Sequence, residues 1–142
     1  MRENMILLVE DDPDHEALAI RALRKANVAN QINVARDGAE AIAFMEEIAT
    51  GVKPMPQLVL LDLKLPKVEG LDVLRAIRGN DRTALLPVVV LTSSDEERDI
   101  VASYRLGVNS YIRKPVNFTE FADATRQLGM YWLLLNQCPP AL

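Results

Sequence analysis

Glu10, Asp11 and Asp12 follow directly on the apolar run Met5–Val9, and Asp62 follows the run Gln57–Leu61. Thr92 closes a third apolar run, Pro87–Leu91, and Lys114-Pro115 stands just past a weaker one, Ser110–Ile112. Carboxylates, a hydroxyl and an amine at the ends of apolar runs are the parts needed to neutralise charge around an anion. Acids gathered in a partly desolvated place repel one another unless a cation joins them. These donors are oxygens, with no histidine or cysteine among them, so a hard cation is predicted: Mg²⁺, with Mn²⁺ as a substitute. Lys114 supplies a compact ammonium to balance the remaining charge. Metal and ammonium together neutralise a phosphoryl group, Thr92 bonds to its oxygens, and a carboxylate serves as nucleophile. Phosphoryl transfer rests mostly on positioning and charge neutralisation, so this small set suffices. Asp62 is the preferred nucleophile, because it leaves the central run into the loop Leu63-Lys64-Leu65-Pro66. Glu10 and Asp11 are better placed as metal ligands.

These side chains act together only if the chain delivers the run ends to one place. The four runs are apolar at consecutive positions, as strands buried on both faces of a parallel sheet must be. Gln31–Ala35, where Ile32 and Val34 alternate with polar neighbours, reads as an edge or half-covered strand. Helical patterns lie between. Asp12 as N-cap and Pro13 in the first turn open one helix, with Ala19, Ile20, Leu23 and Ala26 on one face. Asp37 with Glu40 opens a second, striped by Ile42, Met45 and Ile48. A third spans Glu69–Arg78 with Leu71, Leu74 and Ile77 inward, and Ser94 with Glu97 and Asn117 with Glu120 repeat the capping pattern. Five strand–helix alternations specify an α/β fold, a doubly wound five-stranded parallel sheet with helices on both faces. Ligands of such a sheet gather at the carboxyl ends of its strands, where the acids, Thr92 and Lys114 fall.

A length of 142 residues is enough for one domain with a real core. The net charge of −4 gives no overall basic footprint, so no nucleic-acid partner is expected. Cys138 and His15 are the sole cysteine and histidine, which excludes an internal disulfide and a Cys/His zinc cluster. No run approaches the ~20 apolar residues of a membrane span, and no signal peptide is legible. The expectation is a soluble, cytoplasmic domain. His15 reads as an exposed first-turn residue outside the chemistry.

Leu61-Asp62-Leu63-Lys64-Leu65-Pro66 followed by Gly70, together with Val9-Glu10-Asp11-Asp12, Leu91-Thr92-Ser93 and Lys114-Pro115, resembles the receiver domain of two-component response regulators, from Met5 to about Leu128. The resemblance implies a flavodoxin-like sheet of strand order 2-1-3-4-5 and a phosphoryl group accepted on Asp62 from a sensor histidine kinase. It makes Asp11 the direct Mg²⁺ ligand, Glu10 a ligand through water, and Lys64 a ligand through its backbone carbonyl. Thr92 becomes the switch hydroxyl, Lys114 the phosphate-binding lysine and Tyr111 the switch aromatic. Lys114-Pro115 becomes a candidate cis bond. Such a protein is no conventional enzyme, although it catalyses its own phosphorylation and its own dephosphorylation. It signals through the face formed by its fourth helix, fifth strand and fifth helix. Lys64 and Ser94 stand where the family tunes phosphoryl loss, and a cation at Lys64 implies an acyl phosphate that outlasts seconds.

Phe118, Phe121, Ala122, Thr125, Gly129 and Trp132 keep the rhythm of a single buried helix face, after which Met130–Leu135 is apolar on every side. Such a segment must bury its extra faces, against its own domain or against a second copy. The preferred reading divides the chain into a receiver domain, residues 1–128, and a dimerising extension, residues 129–142. The segment Leu128–Asn136 also resembles the tails of small regulators paired with phytochrome-type histidine kinases. Pro139-Pro140 ends any helix, and no DNA-binding module is expected after it. Two other classes compete. A haloacid-dehalogenase-type phosphatase needs an acid two residues past its nucleophile, where Lys64 stands. A pseudo-receiver working by contact alone would have lost a site residue, and none is missing.

Overall fold

The computed structural model describes residues 5–115 and 117–140. Five strands, β1 (Met5–Val9), β2 (Gln31–Ala35), β3 (Leu58–Leu61), β4 (Val88–Thr92) and β5 (Ser110–Arg113), alternate with α1 (Pro13–Lys25), α2 (Gly38–Ala49), α3 (Gly70–Arg78), α4 (Glu97–Arg105) and α5 (Phe118–Gly129). The sheet order is β2-β1-β3-β4-β5, with every neighbouring pair parallel, which is the doubly wound architecture expected.

The consecutive apolar runs have a direct cause in the layers. Along a strand, successive side chains point to opposite faces. Leu7, Val9, Val59, Leu61, Val88 and Val90 therefore join Ala41, Met45 and Ile48 of α2 and Val73, Leu74 and Ile77 of α3. Ile6, Leu8, Leu58, Leu60, Val89 and Leu91 face the other way, onto Ala19 and Leu23 of α1 and Phe121 and Leu128 of α5. β1, β3 and β4 are buried at every position, whereas the edge strands β2 and β5 are mostly half-buried.

Three helix starts follow the local capping chemistry. Asp12 accepts from the amides of Asp14 and His15, Asp37 from Glu40, and Asn117 from Glu120. The fourth differs: α4 begins at Glu97 behind Glu96, and the Ser94 hydroxyl instead donates to Asp99 Oδ2. Ser94 is thus no helix cap, because the Asp99 carboxylate in the first turn of α4 engages its hydroxyl. Two faces also turn slightly from expectation. Ala41 is buried where Ile42 is half-buried, and Val73 is buried where Leu71 is half-buried. Phe118 stands 61% exposed, outside the buried α5 face of Phe121, Thr125, Leu128 and Gly129.

Past α5 the chain widens into a π-helical segment, Met130–Leu135. At the junction Gly129 lies against α1, where a Cβ would come within 2.7 Å of Leu23 Cδ2. Leu133 is buried and Trp132 half-buried against the α1/α5 layer. Gln57 Nε2 donates to the Leu133 carbonyl (3.5 Å), and the Cys138 thiol donates to the Gln57 carbonyl (3.7 Å). The tail therefore docks partly on its own domain, at the start of β3, while Met130, Tyr131, Leu134 and Leu135 remain exposed.

Candidate functional site

Strand register fixes the site. Val9 pairs with Leu61 and Leu61 with Val90, so the residues after β1 and β3 emerge side by side. Backbone bonds carry the ladders into the site: Asp62 N–H donates to the Val9 carbonyl (3.1 Å) and Lys114 N–H to the Thr92 carbonyl (2.7 Å). Carboxylate oxygens of Glu10, Asp11 and Asp62 consequently lie within 4.8 Å of one another. Glu10 and Asp62 are buried, and Asp11 is exposed.

Lys114 reaches into this group from beyond β5. Its buried Nζ donates to Glu10 Oε1 (2.5 Å) and to Asp62 Oδ2 (2.9 Å). Burial works to lower the lysine's proton affinity, but the charges of Asp62 and Glu10 outweigh it and hold the pKa above the ordinary lysine value. Burial pushes the Glu10 carboxyl up to about 7 against the opposing pull of the same ammonium. Lys64 arrives through its backbone, its N–H donating to Asp62 Oδ1 (3.1 Å), while its side chain is exposed. Both oxygens of Asp62 are thus oriented by fixed donors.

Three hard oxygen donors in one small region suit Mg²⁺ or Mn²⁺, with Asp11 on the solvent side. An open cleft lined by Asp11, Lys64, Leu65, Glu69, Glu96 and Asp99 borders the group.

Thr92 and Tyr111 form a second cluster, joined through Ser94. Thr92 is fully buried, and its Oγ1 accepts from Ser94 N–H (3.4 Å). The Tyr111 hydroxyl donates to the Ser94 carbonyl (2.8 Å). All seven residues expected from the sequence therefore gather at the same edge of the sheet: Asp62 with Glu10, Asp11, Lys64 and Lys114 around it, and Thr92 and Tyr111 around Ser94. The Lys114-Pro115 bond is trans, and no cis peptide bond occurs among the described residues. The trans isomer is the intrinsically preferred one for X–Pro, and it already brings the lysine to Asp62.

His15 is the residue the sequence reading misplaced. It is half-buried, its Nδ1 lies 3.0 Å from Lys114 Nζ, and its ring stacks on Phe121. Its place one turn after the acids of β1 was the available signal.

The family model described as the response regulator receiver domain matches residues 6–126. Among curated proteins, the probable methanogenesis regulatory protein FilR2 of Methanothrix harundinacea is 38% identical, the match covering 95% of this chain and 87% of that protein. Response regulator Rcp1 of Synechocystis is 37% identical over 96% of this chain and 94% of its own length. The crystal structure of the Mn²⁺-bound form of response regulator Rcp1 has a TM-score of 0.90 at 36% identity, covering 96% of this chain and 99% of that one. The phosphorylated cyanobacterial phytochrome response regulator RcpA has a TM-score of 0.88 at 35% identity, covering 97% and 99%. With a family match that runs from β1 into α5, and relatives aligned over nearly their whole lengths, this chain belongs to the response regulator receiver domain family.

Proposed function

We propose that this protein is a single-domain response regulator that accepts a phosphoryl group on Asp62 from a sensor histidine kinase. The observation that carries the reading is the buried Asp62 carboxylate, held by the Lys114 ammonium and the Lys64 amide beside the acids Glu10 and Asp11. An Asp62 oxygen attacks the phosphorus of the kinase's phosphohistidine. The O–P bond forms as the P–N bond breaks, and the imidazole leaves with its electron pair. Lys114 stands where its ammonium can pass from the carboxylate to a phosphoryl oxygen, so charge on the incoming group is balanced by a short turn of one side chain. When bound by Asp11, Asp62, the Lys64 carbonyl and, through water, Glu10, Mg²⁺ supplies the remaining positive charge. Thr92 offers its hydroxyl to the phosphoryl group, and the movement is passed through Ser94 to Tyr111 and the face of α4, β5 and α5. The Ser94–Asp99 hydrogen bond and the exposed Lys64 side chain bound the site's solvent side, which supports an acyl phosphate lasting longer than seconds. The likeness to Rcp1 and RcpA supports a phytochrome-type kinase as partner. The exposed apolar tail supports a homodimer formed through residues 129–142. Among the described residues no helix is long and apolar enough to cross a membrane.

Intact-mass measurement after incubation with acetyl phosphate and Mg²⁺ tests the reading. The expected result is one phosphoryl group on the wild type, absent with EDTA and absent in Asp62→Asn. A folded wild type that gains no mass would leave the contact-only module as the better account.

A further inference from the structure

A protonated lysine has three N–H donors on a flexible four-carbon stem. In Lys114 two of them are directed at acids, Glu10 Oε1 at 2.5 Å and Asp62 Oδ2 at 2.9 Å. The third acceptor is neither an acid nor a strand-end residue: it is His15 Nδ1, at 3.0 Å. The His15 backbone and the His15 ring are each held by one contact. The His15 amide donates to Asp12 Oδ1 (3.3 Å) at the start of α1, and the ring stacks on buried Phe121 of α5 with centroids 5.3 Å apart and planes 25° apart. The other polar groups around Nδ1, Asp12 Oδ2 at 3.7 Å and Glu10 Oε1 at 4.0 Å, lie beyond hydrogen-bond reach.

We propose that His15 is a positioning residue for phosphoryl transfer: its Nδ1 accepts the third Lys114 proton and keeps the ammonium in place while Asp62 passes from carboxylate to acyl phosphate. The proposal rests on the acceptor reading given above. Phosphorylation withdraws the Asp62 carboxylate charge and presents phosphoryl oxygens nearby, so the ammonium must exchange at least one partner. A lysine tethered at His15 makes that exchange by turning about a retained bond. Without the tether, the ammonium collapses onto Glu10 and has to be recovered by the incoming group. The role requires the ring proton to sit on Nε2, leaving the Nδ1 lone pair free.

Two variants and one spectrum decide it. His15→Leu keeps apolar bulk against Phe121 but has no acceptor, whereas His15→Gln restores an acceptor oxygen. The expected result for the leucine variant is a saturating rate of uptake from acetyl phosphate roughly ten- to a hundredfold lower, the scale of one hydrogen bond to a charged group lost from the transition state. The half-saturating acetyl phosphate concentration should be unchanged, and the glutamine variant should recover most of the rate. In wild-type protein, ¹⁵N-detected NMR of the imidazole should show Nε2 protonated and Nδ1 as acceptor. That spectrum needs no variant, so it decides the matter even if the leucine protein does not fold. Equal uptake by wild type and His15→Leu, or a proton on Nδ1, overturns the proposal. A wild type that takes up no phosphoryl group overturns the acceptor reading itself and this role with it, whereas uptake unaffected at His15 overturns this role alone.

Discussion

At the scale of single residues, the site is a problem of charge density, and Lys114 is the pivot. Two buried carboxylates, Glu10 and Asp62, share one ammonium that is only 4% exposed. Attraction of this kind is offset by desolvation, but deleting one partner leaves the other charges buried and unbalanced. Lys114→Met is therefore expected to destabilise the protein by about 3 kcal/mol in EDTA, read as a lower urea midpoint. Because the remaining acids then lack a cation, added Mg²⁺ should restore more stability to the variant than it adds to the wild type. Equal Mg²⁺ responses would count against a shared carboxylate site.

At the scale of elements, the loop after Asp62 is held by α2 as much as by β3. Gly38 N–H donates to the Pro66 carbonyl (3.3 Å), and a Cβ at Gly38 would collide with the Val68 backbone. Asp37, the α2 cap, pairs with Lys67 of the same loop (3.3 Å). The Glu40 amide and the Lys67 charge hold the Asp37 carboxyl below its ordinary value of 3.8. A lowered acid pKa means that the folded state favours the charge. Its contribution is present above the unfolded value and is lost as pH falls through the folded one. Asp37→Asn keeps a capping oxygen and removes only the charge, so it should lower the urea midpoint near neutrality and converge with wild type in acid. A gap that is constant with pH would show that the charge is not what matters. The caps at Asp12, Asp37 and Asn117 were legible from the sequence because their partners lie two or three residues away. So were Asp62 and Lys114, since a parallel sheet must place strand ends together. Ser94 and His15 were not. The Ser94 carbonyl is taken by Tyr111 of β5 and His15 meets Lys114 across 99 residues, so both contacts depend on how whole elements dock, while the Ser94 hydroxyl turns to Asp99 five residues on.

At the scale of the whole molecule, the tail gives the chain two surfaces of different character. Leu134 and Leu135 are 56% and 71% exposed, continuous with Met130 and Tyr131. If this face closes a dimer, replacing both leucines with glutamate should give a folded protein that scatters light as a monomer where the wild type scatters as a dimer. Identical masses for the two would remove the tail from any assembly role. The sheet carries a different consequence. Every neighbouring pair of strands is parallel, so no pair can close as a hairpin and each waits for a helical crossover. Glu10 leaves the ribosome 104 residues before the lysine that balances it. A nascent chain thus carries the acidic half of its site through most of synthesis and gains the basic half only when β5 docks beside β4. A partly made copy has no balanced site, and the counter-charge for Glu10 and Asp62 arrives only behind the last strand.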